Sequence, residues 1–215
     1  MTERERSYLA LAADLLEYPD DDFLATAERL GRALRQAECD AGRDALLSFI
    51  DWISQTDPLR AREDYVAIFD HDPAASLHMA WHRYGNDRGQ GRAMAALNGL
   101  YRTAGYEPVN SGAMPDYLPR MLEFMSAAED WAVEAMLDGF GPEIDGLTTR
   151  LKELKTPYAE LLEAVVAPLR RKYPGHLSPR SKPDPTIRPM ARPAPEEVPV
   201  ELARRTGEIA GREGG

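Results

Sequence analysis

The chain has 215 residues, 43% of them hydrophobic, and a formal net charge of −10. That length supports one substantial core or two small ones. The acidic balance argues against nucleic acid, whose phosphates need a basic face, and suits a cationic peptide, which an acidic surface attracts. The single cysteine, Cys39, excludes an internal disulfide or a cysteine metal cage; in its predicted helix it reads as a small buried residue. No apolar run approaches the ~18 residues of a membrane span. The opening MTERERSYLALAADLL is interrupted by Asp14, Glu17 follows, and there is no small-residue cleavage site. It reads as a helix and not a signal peptide, which makes a reducing cytoplasm the expected compartment.

In chain order, Thr2 and Glu5 have capping-box spacing. Tyr8, Leu11, Ala12, Leu15 and Leu16 then recur at helical period until Pro19. Asp21 is placed to cap a second helix with Phe23, Leu24, Ala27, Leu30 and Leu34 on one face. Asp40 is placed to cap a third, carrying Leu46, Leu47, Ile50 and Ile53. Asp57-Pro58 is a helix start, because proline at the first helical position gives up no hydrogen bond. Leu59, Tyr65, Val66 and Phe69 form that helix's stripe. After Pro73, a short helix is expected within 74–84, with Leu77, Trp81 and Tyr84 on one face. Asp87 is assigned as the cap of the next helix, with Met94, Leu97, Leu100, Tyr101 and Ala104 inward and Gly105 as its stop. Residues 106–114 read as loop.

Asp116 is assigned as the cap of a helix bearing Tyr117, Leu118, Met121, Leu122 and Met125, with Pro119 in its first turn. That helix continues or restarts through Trp131, Met136 and Leu137, and Gly139 and Gly141 are expected to end it. Pro142 then starts another with Ile144, Leu147, Leu151 and Leu154, and Thr156-Pro157 start the last. No segment alternates like a strand and no nucleotide-binding glycine loop occurs. The expected fold is all-α, a single-domain helical bundle over 1–172. From Tyr173 to residue 215, prolines come in quick succession with mixed charges. Such a segment has too little apolar surface to offset its ordering entropy, so it reads as a disordered, Pro-rich flexible tail, dispensable or used for docking. A weak helix is expected around 200–209.

The chemistry-bearing residues are few. His78 and His82, four apart, would share a helix face below Asp70, His71 and Asp72, but no acid stands at the third-ligand spacing of known zinc motifs. Asp116 and Glu123 are seven apart, roughly 10 Å along a helix, too far by themselves for one reaction centre. Neither Ser76 nor Ser111 has the glycine frame of a nucleophile elbow. An enzyme using His71, His78 and His82 therefore stands behind a recognition role. Tyr65, Phe69, Trp81, Tyr84 and Tyr117 cluster in sequence around Asp70, Asp72, Asp116 and Glu123. Aromatics with acids suit a groove for an amphipathic, basic peptide, although Tyr65 and Phe69 fit a core stripe equally well.

Four ordered blocks carry a family likeness. They are Tyr65-x-x-x-Phe69-Asp70, Gly85-Asn86-Asp87-Arg88-Gly89-Gln90-Gly91-Arg92-Ala93-Met94, Tyr101-Arg102-x-Ala104-Gly105, and Pro115-Asp116-Tyr117-Leu118-Pro119-x-x-Leu122-Glu123-Phe124. Together they resemble the NarJ family, the delta subunits of respiratory nitrate reductases or molybdenum cofactor assembly chaperones, within the TorD/DmsD-type maturation chaperones. The resemblance implies a TorD-like helical bundle, no enzymatic activity, no cofactor of its own and no metal. It implies a cytoplasmic chaperone that binds the immature catalytic (alpha) subunit of a nitrate reductase through its N-terminal peptide. That chaperone supports cofactor insertion before membrane attachment, with room for transient contact with cofactor delivery proteins. A same-fold chaperone for an ethylbenzene, dimethylsulfide, selenate or perchlorate enzyme is the alternative. By the matching positions, the residues implied to touch the client are Tyr65, Phe69, Asp70, Asp116, Tyr117, Leu118 and Glu123, with Asp87 and Arg88 as second choices. The Pro-rich tail lies outside the blocks.

Overall fold

The computed structural model describes residues 1–107 and 112–178. The tail from residue 179, including the helix expected around 200–209, lies outside the described residues, as does part of the loop before Pro115. Among the described residues the fold is all-α. Its elements are α1 (Glu3–Leu15), α2 (Asp21–Gln36), α3 (Ala41–Gln55), α4 (Pro58–Tyr65), a π-helical turn (Val66–Asp70), a 3₁₀ turn (Pro73–Ala75), α5 (Met79–Tyr84), α6 (Gly89–Thr103), α7 (Leu118–Ala127), α8 (Asp130–Glu153) and α9 (Tyr158–Lys172).

Local chemistry sets most helix starts. Thr2 and Glu5 make the full reciprocal capping box, Asp40 accepts from the Arg43 amide, and Asp57 accepts from Leu59 and Arg60 ahead of Pro58. At α2 the cap is Asp20, which accepts from Phe23, and Asp21 is already helical. Two other expected caps fall elsewhere. Helix α6 starts after Arg88 with no side-chain cap, so Asp87 caps nothing there. Helix α7 starts after Tyr117, also without one, because the Asp116 carboxylate is used across the bundle. Gly105 does terminate α6, at a φ of 68° that a side chain would resist.

The expected break at Gly139–Pro142 does not occur: α8 runs unbroken from Asp130 to Glu153. Pro142 has no amide to donate to the Asp138 carbonyl, a loss worth about 3 kcal/mol in an isolated helix. The buried stripe of Val133, Met136, Leu137, Phe140, Ile144, Leu147 and Leu151 on both sides of it outweighs that. Gly141 has a packing role, since a Cβ there would lie 2.3 Å from the His176 carbonyl oxygen. The chain after α9 crosses α8 at that point, with Tyr173 and Leu177 still buried.

The helix expected within 74–84 is shorter than its pattern suggested. Leu77 is buried in an extended link and only Met79–Tyr84 is helical, with Trp81 39% exposed. Cys39 lies exposed between α2 and α3, not buried. Helix α1 runs antiparallel against α7. Arg6 at one end donates to the Ala128 carbonyl (2.6 Å) at the α7 terminus, and Glu17 beyond the other end meets Tyr117. Tyr158 of α9 centres the aromatic core, with Phe49 and Phe69 each 4.9 Å away by ring centroid.

Candidate functional site

The ends of the first and last family blocks meet. Helix α4 passes into a π-helical turn, in which the His71 amide donates to Val66 (3.0 Å), five residues back. Tyr65 sits at that junction, and its hydroxyl lies 3.4 Å from that of Tyr117, just before α7. Tyr65 donates to the Leu16 carbonyl (3.1 Å), and Tyr117 donates to the Glu17 carboxylate (3.1 Å). Each phenol has one proton, so with Glu17 ionised none is left for the contact between the two tyrosines. Protonating Glu17 frees Tyr117 to donate to Tyr65. Burial raises the Glu17 carboxyl above the ordinary glutamate value, the Tyr117 hydrogen bond opposes that, and the charges of Asp14, Glu123 and Asp20 add to it. Asp14, one turn earlier on α1, is also raised, by its surroundings and then by Glu123, with Arg29 opposing. Burial is likewise the main reason both tyrosines are pushed far up, and Asp70 contributes to each. The carboxyls of Asp14, Glu17, Asp70 and Glu123 thus surround an aromatic corner, with Tyr18 edge-on to Tyr65 at 5.5 Å.

Asp116 is 1% exposed. Its carboxylate accepts from the Ala80 amide (3.0 Å) and lies 3.3 Å from His78 Nδ1, while its carbonyl accepts from the Met79 amide (3.0 Å). It caps α5 from another part of the chain. The Leu118 amide completes this stitch by donating to the Leu77 carbonyl (2.8 Å). Sequence reasoning expected a local cap because spacing cannot show which helix a carboxylate reaches. It also missed Arg83, whose buried side chain forms a two-bond pair with Glu143 of α8 (2.7 and 3.1 Å) and lies over Phe140.

The residues implied as client contacts therefore divide. Asp70 is exposed, and Tyr117 and Glu123 are partly so. Tyr65, Phe69 (5% exposed), Asp116 and Leu118 (0%) lie in the core and offer almost no surface. Asp87 and Arg88 are exposed at the opposite end of α5 from Asp116. The histidines do not assemble a metal site. His82 pairs with the Ser76 carbonyl (2.7 Å), His78 with Asp116, and Asp72 with Arg150 (2.8 Å). No group of three or more potential ligands occurs among the described residues.

A second feature had no motif to announce it. An open groove of about 1270 Å³ runs between α1, α2, α3 and α9. Its floor includes Tyr8, Leu11, Leu30, Leu34, Ala164 and Pro168, and its rim carries acids of α1 and α9. Along α1 the lining residues Ser7 and Leu11 lead at helical spacing to Asp14, and on α2 Leu30 adjoins Arg29, which faces Asp14. The groove and the acidic corner therefore share one side of α1. No helix among the described residues is long and apolar enough to cross a membrane.

Residues 35–168 match the protein-family model described as nitrate reductase delta subunit. A Bacillus subtilis protein, "Probable nitrate reductase molybdenum cofactor assembly chaperone NarJ", is 30% identical over 78% of this chain and 90% of its own length. The Escherichia coli "Nitrate reductase molybdenum cofactor assembly chaperone NarJ" is 31% identical over 74% of this chain and 67% of its own length. The "Nitrate reductase-like protein NarX" of Mycobacterium tuberculosis is 34% identical over 72% of this chain, which covers 23% of that longer protein. With the four sequence blocks folded into one bundle and the family model spanning most of it, the chain belongs to the nitrate reductase delta subunit family.

Proposed function

We propose that this protein is a molybdenum cofactor assembly chaperone for a respiratory nitrate reductase. In this reading it acts in the cytoplasm and catalyses no reaction. It binds the N-terminal segment of the immature catalytic subunit, holds the subunit open for cofactor insertion and delays its membrane attachment. The observation that carries the reading is an acidic, tyrosine-lined corner beside the face of α1 that also lines an apolar groove. An amphipathic peptide helix lays its apolar face in such a groove, and its cations meet the carboxylates. Asp70, Tyr117 and Glu123, joined by Asp14 and Glu17, make the polar contacts. Tyr65, Phe69, Asp116 and Leu118 hold that corner in shape, and the exposed Asp87 and Arg88 are second-choice contacts for the client peptide.

Titration calorimetry with a synthetic peptide of the cognate catalytic subunit's N-terminus tests this. Glu17→Gln with Glu123→Gln should weaken binding about tenfold at low salt and less at high salt, because exposed charge pairs are screened. Ala164→Trp, which fills the groove, should weaken it more. Folded variants that bind like wild type at both sites would remove the assignment.

A further inference from the structure

We propose that the outward face of α6 docks an acidic helix of a partner protein. Helix α6 buries Gly89, Ala93, Leu97 and Tyr101. Arg88, Gly91, Arg92, Ala95, Asn98 and Arg102, three or four residues apart, form its exposed face. Three local choices on that face work against the helix. Arg88 stands at the N-terminus, where the helix dipole repels a cation. Arg92, one turn later, adds a like charge at the spacing where such pairs repel. Gly91 and Gly99 each lower helix stability relative to alanine.

Nothing among the described residues offsets these choices. Gly89 has a packing reason, since a Cβ there would lie 2.3 Å from the Tyr84 ring, but a Cβ at Gly91 or Gly99 would have no neighbour within 4 Å. Every arginine of α1, α3, α4, α5, α8 and α9 has an ion pair. Arg88, Arg92 and Arg102 have no ion pair or hydrogen bond among the described residues. No Asp or Glu occurs between Asp87 and Glu107, although the two types make up 36 of the 215 residues.

These features define the partner. Gly91, Ala95 and Gly99 form a row at four-residue spacing, a furrow into which the side-chain ridge of a second helix fits with close backbone approach. Arg92 and Arg102, about 15 Å apart along the axis, flank the two ends of that row and call for carboxylates. A lipid surface gains nothing from a missing Cβ, and the net charge of −10 opposes an anionic membrane. Two α6 faces laid against each other would set arginine against arginine. The surface shares no residue with the groove, and its docking role does not rest on the chaperone reading.

A benzophenone amino acid in place of Asn98, at the edge of the row, tests this by cross-linking the full chain in the cells that make it. The adduct should map to a helix of another protein, with Asp or Glu flanking the linked residue. Arg92→Glu with Arg102→Glu should lower its yield about tenfold, and changing the mapped acids to lysine should restore it. Arg88 stays unaltered, so loss of a client-peptide contact cannot mimic that result. Gly91→Leu with Gly99→Leu should abolish the adduct in a protein at least as heat-stable as wild type. Gly91→Ala with Gly99→Ala should raise Tm by about 2–4 °C per site. An adduct to phospholipid, to a second copy of this chain or to a helix without acids overturns the proposal, as does no adduct. Charge reversal that leaves the yield unchanged overturns it too. So does a fall in Tm in the alanine variants, which would give the glycines a role inside the fold.

Discussion

The two ends of α1 have opposite surroundings. At its C-terminal end, Leu16 and Glu17 are bonded to Tyr65 and Tyr117, and the link before α5 is stitched to Asp116 and Leu118. At its N-terminal half, Ser7 and Leu11 line an open groove whose walls are mostly apolar. One end uses buried polar bonds to specify a shape, and the other lines a groove with apolar side chains. The first and last family blocks meet at the first end. The groove is formed at the second, from residues that look like ordinary helix. The first and last blocks contribute Tyr65, Asp116 and Leu118 to the bonds that hold the corner in place.

Substitutions separate the two ends, and the largest effect belongs to the Arg83–Glu143 pair. Arg83→Ala leaves Glu143 as an uncompensated charge and should cost about 3–5 kcal/mol in urea unfolding, whereas Arg83→Met with Glu143→Leu should recover most of it. A small loss in the single variant would mean that the Arg83–Glu143 pair contributes little to holding α5 on α8. Next is Asp116→Ala, which strands the Ala80 amide and removes the His78 partner. It should cost about 2 kcal/mol, with Asp116→Asn costing less because an acceptor remains.

Glu17→Gln should act in the other direction. Its folded carboxyl is raised, so the folded state holds the proton more tightly than the unfolded chain, and the stability this gives is present at low pH and lost as pH rises through and beyond the ordinary value of 4.5. The variant should stabilise the protein by about 1 kcal/mol or less at pH 7 and flatten the decline in stability from pH 4.5 upward, while weakening the cationic client. Asp40, Asp72 and Asp130 are lowered by their hydrogen-bond partners, against the effect of burial that is largest for Asp40, and their stabilisation is lost only as pH falls below 3.8. The two effects separate in an unfolding series across pH. The smallest change in stability should come from the groove wall: Ala164→Ser should stay within about 0.5 kcal/mol of wild type. If groove substitutions destabilise as much as Asp116→Ala, the groove is core and not a docking surface.

The helical pattern, the capping box at Thr2, the Asp40 and Asp57 caps, the Gly105 stop and the all-α class were legible in the chain because each depends on residues within about one turn of one another. The family was legible for a related reason, since four short blocks in order need no coordinates. Gly141 and Pro142 misled because their local cost is real, and only the buried stripe around them shows it to be outweighed. Asp116 misled in the same way: its spacing before α7 is that of a cap, and its carboxylate bonds to α5. Asp14 and Glu17 read in the sequence only as breaks in an apolar opening; folding sets them beside Tyr117 and Glu123. What the sequence determined by itself is whatever neighbouring side chains and backbone settle among themselves, namely period, caps and punctuation. The tertiary structure alone decided which distant groups share a low-dielectric site and where apolar surface is left uncovered, because burial and charge proximity depend on contacts between residues far apart in the chain.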